Sequence, residues 1–450
     1  MAELRGRTVL VCGARFAGQA AARALLAMGA RVVLTDRNRP AGTDELEAAG
    51  ARFVGAIEAA PADVALIVTS PGWPPTHPVF TDAAARGVEV VGELEFAWRL
   101  RGERAADWLV VTGTNGKTTT VRMLESILRA AGLRALAVGN VGVSVIDAVR
   151  DPHPYAVLAV EASSYQLHWS STIEPAAGAL LNLAPDHLDW HGSMAAYELA
   201  KAAVWAGRVA IGNLDDARVA ALLPHGAVGF SLSAPAAGQL GVADGHLVSR
   251  AFGDESLPLV AEHEVRPAGA HNVANALAAA ALARAHGVGA DAIATGLRTF
   301  VPDPHRNQLV LTRADVSWVD DSKATNPHAA LASLMSYPRV VWIAGGQLKG
   351  VDVGDLVAEV SGRLVGAVLL GEDRGAVAAA LARHAPDVPV IMVESTDDGA
   401  MTEVVHAAAG LARPGDTVLL APAAASYDMF TGYSARGDAF AAAVRDLAGE

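Results

Sequence analysis

The stretch Trp108-Leu-Val-Val-Thr-Gly-Thr-Asn-Gly-Lys-Thr118 decides how this chain is read. A short apolar run ends in a glycine loop, and helical periodicity follows over 117–130 until Gly132 stops it. That succession marks a strand, a tight turn and a helix in a parallel α/β layer. Gly113 and Gly116 leave the backbone free to wrap phosphate, Lys117 supplies a point charge for the terminal phosphates, and Thr118 offers a hydroxyl to Mg2+. The spacing departs from the common phosphate loop, whose first glycine would fall at Val111. ATP or GTP binding is the first expectation.

Outward from this loop the same alternation runs almost from end to end. Upstream, strands are expected over 8–12, 31–35, 64–69 and 88–91, with a helix over 18–28 and a charged linker at 99–104. Downstream, strands over 157–161, 179–183 and 208–212 precede a small β excursion at 228–265 and a helix over 272–285. Pro302-Asp-Pro304 then restricts the backbone to extended or turn geometry. Beyond it, strands are expected over 316–319, 340–344, 365–370, 390–393 and 417–420. The expectation is an α/β protein of three domains. A Rossmann-like domain at 1–104 and another at 304–450 flank a central ATPase of phosphate-loop type, with a mainly parallel sheet, at 105–303. At about 150 residues per domain the 450-residue length agrees.

Composition narrows the partners. With 35 basic against 48 acidic side chains the net charge is −13, which repels a nucleic-acid backbone. The single cysteine, Cys12, sits in an apolar run, permits no internal disulfide and fits a reducing cytoplasm. The apolar run after Arg5 and Arg7 is only about six residues long, too short for a secretory leader. No stretch reaches the ~18 apolar residues of a membrane span. A cytoplasmic monomer is expected.

Further segments carry chemistry-bearing residues. Gly13-Ala-Arg-Phe-Ala-Gly18 matches the dinucleotide fingerprint at its first and third glycines, but Arg15 obstructs the middle position, which disfavours nicotinamide or flavin. Its helix N-terminus can still take an anion, with Asp36 available to a sugar hydroxyl, or the turn is purely structural. Glu161 ends a strand beside the main loop and can hold Mg2+. Asp186-His-Leu-Asp-Trp-His191 sets His187 and His191 four apart; zinc is one reading, and a single histidine aiding Mg2+ or substrate is another. Lys201, in the helical stretch 194–205, reads by itself as a solvated surface lysine. His271, Asn272 and Asn275 open a helix, where asparagines cap or touch a ligand. Asp320-Asp-Ser-Lys-Ala-Thr-Asn326, Gly345-Gly-Gln-Leu-Lys349 and Ala423-Ala-Ala-Ser426 each follow a strand, where open α/β sheets bind ligands.

In this order the segments resemble the Mur ligase family, ATP-dependent amide-forming enzymes of peptidoglycan precursor synthesis, whose loop Thr-Gly-Thr-Asn-Gly-Lys-Thr stands intact at 112–118. Asp321 through Asn326, the Gly-Gly-x-x-Lys of 345–349, and Ser426 with its downstream aromatic resemble the D-glutamate-adding branch. The resemblance implies three small-molecule substrates: ATP, UDP-N-acetylmuramoyl-L-alanine and D-glutamate. It carries Gly113, Thr114, Asn115, Gly116, Lys117, Thr118, Thr119, Asn272, Asn275, Arg306 and Asp321 to ATP. To the UDP-linked substrate it carries Arg15, Phe16, Ala17, Asp36, Arg37, Ser70, Gly72, Asn140, Ser163 and His187, and to D-glutamate Lys323, Thr325, Lys349, Ser426 and Tyr433. Lys117, Glu161, His187, Lys201 and Lys323 take catalytic roles, with two Mg2+ ions held by Thr118, Glu161, His187 and, once carbamylated, Lys201. Closure of the third domain over the second is implied as the means of excluding water from the activated intermediate.

Two departures from the family stand out: Tyr433 replaces a familiar phenylalanine, and Gln347-Leu348 replace an acidic residue and a glycine. The alternatives are another Mur-type or folylpolyglutamate-type ligase with a different acceptor, and a nucleotide-dependent switch.

Overall fold

In the computed structural model the described residues are 2–102, 105–396 and 399–449; Glu103 and Arg104, the end of the expected linker, lie outside them. The chain divides into two units, Met1–Glu264 with Ala274–Phe300, and Val265–Val273 with Val301–Glu450.

The first unit holds two sheets. Strands β1 (Thr8–Cys12), β2 (Arg31–Thr35), β3 (Arg52–Phe53), β4 (Val64–Thr69) and β5 (Glu89–Gly92) form a parallel sheet in the order 3-2-1-4-5. A parallel sheet covered on both faces wants continuous apolar runs, and β1 is buried along its whole length. The second sheet comprises β6 (Asp107–Thr112), β7 (Ala135–Gly139), β8 (Val157–Glu161), β9 (Ala177–Leu180), β10 (Ala210–Asn213), β11 (Val228–Phe230), β12 (Gln239–Ala243), β13 (His246–Ser249) and β14 (Leu257–Ala261). Its order is 14-13-12-11-10-9-6-8-7, and its antiparallel pairs, β12 with β13 and β13 with β14, are the expected β excursion.

In both sheets the chain leaves the first strand to one side and later returns on the other. The order therefore reverses between β1 and β4 and between β6 and β9, and at such points a crevice opens outside the carboxyl ends of the strands. Helix Glu93–Leu100 fastens the two layers together. The buried Glu95 carboxylate accepts the N–H groups of Ser171 (2.9 Å) and Thr172 (3.0 Å), the Thr172 hydroxyl (2.6 Å) and Arg99 Nε (2.7 Å). Glu93 accepts the Ser144 hydroxyl at 2.8 Å.

The second unit carries β15 (Gln308–Arg313), β16 (Val316–Asp320), β17 (Val340–Gly345), β18 (Leu364–Leu370), β19 (Val390–Met392) and β20 (Thr417–Leu420), in the order 15-16-20-17-18-19. All pairs are parallel except β15 with β16. Trp342 on β17 is fully buried and donates its indole N–H to Ala421 O at 2.8 Å.

Strands β3, β7 and β15 escape the sequence reading. The first is two residues long, β7 reads Ala-Leu-Ala-Val-Gly and has little β-branched signal, and β15 is a largely exposed edge strand without alternation. Strand β9 ends at Leu180 rather than at 183, because the chain leaves the sheet there to hold the glycine loop. The helical stretch 194–205 resolves into Met194–Ala202 and a 3-10 turn, Ala203–Ala206. Among the described residues no helix is long and apolar enough to cross a membrane.

Candidate active site

The loop after β6 is held from several directions. Gly116 takes a left-handed conformation (φ +83°) at the start of helix Lys117–Ala130, and a Cβ there would stand 2.4 Å from Asn275 Oδ1. Asn182, just past β9, clasps the loop with its whole amide: Oδ1 accepts Asn115 N–H at 2.8 Å and Nδ2 donates to Asn115 O at 3.1 Å. The Thr114 hydroxyl meets Tyr197 OH at 2.9 Å. Sequence reasoning missed both Asn182 and Tyr197. For Asn182 a signal existed, a polar residue between leucines at the end of a strand.

The charged groups converge on this frame. Strands β6 and β8 pair with Val111 opposite Glu161, which brings the Glu161 carboxylate level with the loop. Glu161 Oε2 accepts the Thr118 hydroxyl at 2.7 Å, and Oε1 accepts Asn140 Nδ2 at 3.1 Å. Lys117 Nζ folds back onto Gly113 O and Thr114 O, both at 2.8 Å. Lys201 Nζ reaches the same loop from below, 2.8 Å from Gly113 O.

Lys201 corrects the isolated reading of its segment: it is 2% exposed rather than solvated. Burial, reinforced by Lys117, pushes its ammonium pKa well below the usual lysine value, while Asp186 and Glu161 oppose the shift. His187 adopts a left-handed backbone ahead of the single turn Leu188–His191, with Nε2 3.4 Å from Asp186 Oδ2. Lost solvation lowers its imidazole pKa, with Lys117 and Lys201 adding to the fall. His191 turns instead to the Ser164 hydroxyl (2.9 Å), so the two histidines take different polar partners, while the Tyr165 ring packs against both, with centroids 4.8 Å from His187 and 5.7 Å from His191.

At the turn after β1, Asp36 Oδ2 accepts Ala14 N–H at 2.8 Å, while Arg15, Phe16, Arg37 and Gly72 are exposed and Ser70 and Ala17 half-buried. Ser70 closes onto the turn through its own N–H, which donates to Cys12 O at 2.8 Å. Ser163 caps helix Ser164–His168 in a reciprocal box with Gln166.

In the second unit the candidates for the amino acid collect past the carboxyl ends of β16, β17 and β20. Lys323 Nζ lies 4.2 Å from the centre of the Tyr433 ring, so the tyrosine face is turned to a cation. Ser426 is buried, and its carbonyl accepts the N–H of Phe430 at 2.8 Å. Lys349 is exposed in a left-handed conformation, between a buried Leu348 and Gly350. Thr325 is half-buried, and its N–H donates to Lys323 O at 2.8 Å. Burial lifts the Asp321 carboxyl to about 6, opposed by its hydrogen bonds and by Arg306. Asn272 and Asn275 share helix Ala270–Ala285: Asn272 Nδ2 donates to Ala268 O at 3.2 Å, while Asn275 Oδ1 accepts the Thr120 hydroxyl at 3.3 Å.

The fold and the loop define a phosphate-loop α/β protein with a further α/β unit of its own. Three family models match in chain order: Mur ligase MurD-like, N-terminal domain at residues 7–92; Mur ligase middle domain at 111–283; and Mur ligase, glutamate ligase domain at 305–424. The chain belongs to the Mur ligase family. It is 56% identical to the "UDP-N-acetylmuramoylalanine--D-glutamate ligase" of Thermobifida fusca (strain YX), covering 99% of this chain and 100% of that one. The protein of the same name from Streptomyces coelicolor is 52% identical, with 99% of each chain covered. Among solved structures, the UDP-N-acetylmuramate-alanine ligase MurC of Thermotoga maritima superposes with a TM-score of 0.60 at 16% identity, covering 99% of this chain and 100% of that one. MurF of Acinetobacter baumannii does so with a TM-score of 0.60 at 17% identity, covering 99% and 91%. At such identities the two structures speak for the fold alone.

Proposed function

We propose that this chain is an ATP-dependent ligase that joins D-glutamate to UDP-N-acetylmuramoyl-L-alanine and releases ADP and phosphate. The observation that carries the reading is the loop at 112–118 with its Lys117 and its Thr118–Glu161 pair, in a chain 56% identical over its length to a relative of that name.

A carboxylate does not condense with an ammonium group at neutral pH. In this reading the γ-phosphoryl group of ATP passes to the substrate carboxylate, giving an acyl phosphate and ADP. The deprotonated amine of D-glutamate attacks the acyl carbon, phosphate leaves and the amide remains. Lys117 turns from the loop carbonyls to the phosphoryl oxygens and stabilises the charge spread over them. His187 and Asn140 orient the carboxylate end of the UDP-linked substrate, and Asp36 offers Oδ1, which accepts a long 3.5 Å contact from Asn38 N–H, to a sugar hydroxyl. Lys323, Thr325, Lys349, Ser426 and Tyr433 hold D-glutamate, while Asn272, Asn275, Arg306 and Asp321 meet the nucleotide.

Thr118 and Glu161 present hard oxygen donors side by side. Among the described residues no group of three or more His, Cys, Asp or Glu could hold a metal ion by itself. The donor set suits Mg2+, which takes one or two carboxylates together with substrate phosphates rather than an all-protein cage. When bound, the cation screens the repulsion between the substrate carboxylate and the phosphoryl oxygens. Lys201 joins the set as a carbamate, formed when its neutral amine adds to CO2 and loses a proton; burial beside Lys117 supports this by favouring the neutral amine. In the same reading the enzyme works as a cytoplasmic monomer, with its tasks divided among residues 1–104, 105–303 and 304–450.

The test is phosphate release from ATP with UDP-N-acetylmuramoyl-L-alanine and, in turn, D-glutamate, L-glutamate, L-lysine or diaminopimelate. Release that requires D-glutamate is expected. Release with another amino acid would keep the mechanism and discard the branch, and release without any acceptor would point to a switch.

A further inference from the structure

Arg436 is among the largest fully buried side chains, 1% exposed, and no ion pair involves it among the described residues. Its guanidinium donates to neutral oxygens instead. Nε reaches the Ser322 hydroxyl at 3.0 Å, Nη2 reaches Ser322 O at 2.9 Å, and Nη1 reaches Ala424 O at 3.1 Å and, more loosely, Gly345 O at 3.5 Å. Asp320 and Asp428 act on it through space, but Asp320 is bonded to His305 Nδ1 (2.6 Å) and Asp428 to the N–H of Glu372 (2.8 Å). Burial brings the guanidinium down to about 10, so it stays a cation at neutral pH.

These contacts fall at or just past the carboxyl ends of three neighbouring strands, β16, β20 and β17, Gly345 being the last residue of β17. The Ser322 hydroxyl in turn donates to Tyr433 O at 2.8 Å, which adds a fourth segment. Gly346 permits the close approach: a Cβ there would lie 2.2 Å from Ala425 O and 3.3 Å from Arg436 Nη1. Lys323 follows Ser322 directly, Ser426 stands two residues beyond Ala424, and Tyr433 itself is tied. A planar fork with several donors in fixed directions can hold such segments at a set spacing, which a lysine cannot.

We propose that Arg436 is a positioning residue for the amino-acid pocket: its guanidinium sets the mutual spacing of the loops that carry Lys323, Ser426 and Tyr433, and its charge adds to those of Lys323 and Lys349 in drawing a dicarboxylate. The inference rests on the D-glutamate reading above. It is tested with Arg436→Lys and Ser322→Ala, by measuring KM for each of the three substrates together with the melting temperature. Arg436→Lys is expected to raise KM for D-glutamate about tenfold or more, with KM for ATP and for the UDP-linked substrate within about twofold of the parent. Ser322→Ala is expected to move the same constant, by about threefold.

Three KM values rising together with a fallen melting temperature would mark a merely structural arginine and overturn the proposal, as would an unchanged KM for D-glutamate. If Arg436→Lys fails to fold, Ser322→Ala decides by the same criteria. Failure of the unaltered enzyme to need D-glutamate would instead bring down the functional reading.

Discussion

The turn after β1 and the loop after β6 share a strand–glycine–helix geometry and use it in opposite ways. The first is open at its tip: Phe16 is 60% exposed beside an exposed Arg15, and the side-chain tethers, Asp36 on Ala14 N–H and Gln19 on Ala14 O, hold only its base. The second is locked by Asn182, Asn275 and Tyr197, with the amine of Lys201 buried beneath it. A group that stabilises charge as it develops acts most strongly where water is excluded and the backbone frame around it is already set. One that recognises the far end of a substrate works at an open rim. Substitutions in the locked loop should therefore act on kcat, and those in the open turn on KM.

The largest expected effect is that of Lys117→Ala, which should lower phosphate release and amide formation together by about a thousandfold or more. Wild-type turnover in that variant would erase the distinction between the two turns. Gly116→Ala comes next. Its backbone sits at φ +83° with Asn275 Oδ1 2.4 Å from the new Cβ, so a loss of about 1–3 kcal/mol in urea unfolding is expected, with loss of activity. A neutral result would show the locked loop to be as yielding as the open one. Phe16→Ala should raise KM for the UDP-linked substrate about threefold to tenfold and leave kcat and KM for ATP alone. A fall in kcat would move the open turn into the chemistry.

The smallest effects concern the clasp between the two layers, where glutamates two residues apart titrate in opposite directions. Burial raises the Glu93 carboxyl above the ordinary 4.5, against its bonds from Ser144 and Gln166. Its stabilising contribution is full below the unfolded-state value and is lost as pH rises through the folded one. Burial acts upward on Glu95 too, but hydrogen bonds from Thr172, Ser171 and Arg99 outweigh it and the carboxyl falls. Its contribution is present above the unfolded-state value and is lost as pH drops through the folded one. Glu93→Gln should thus gain about 2–4 °C in melting temperature over the parent at alkaline pH and nothing in acid. Glu95→Gln should lose most at neutral pH and least in acid. Parallel melting curves across pH would refute both assignments.

Much of this was legible in one dimension. Strands β1, β2, β4 and β8 fall where their apolar runs stand, and helix Lys117–Ala130 begins after the glycine and ends before Gly132. Strand β7 was not legible, since small residues pack into a parallel sheet without the branched pattern that announces one. Of the site, Lys117 and Thr118 could be read from their places after a strand, and Glu161 from its place at the end of one. Asn182 could not be paired with the loop, nor Arg436 with anything.

What the sequence by itself determined is therefore the alternation of strands and helices, the glycine turns and the residues set directly upon them, because each depends on neighbours within a few positions. Only the tertiary structure decided that Lys201 is buried against Gly113, 88 positions away, that Asn182 grips Asn115 across 67, and that Arg436 forks onto Ser322 across 114. At such separations the environment of a side chain, and with it its charge and reach, is set by which strands lie side by side, and strand order is not written in any local pattern.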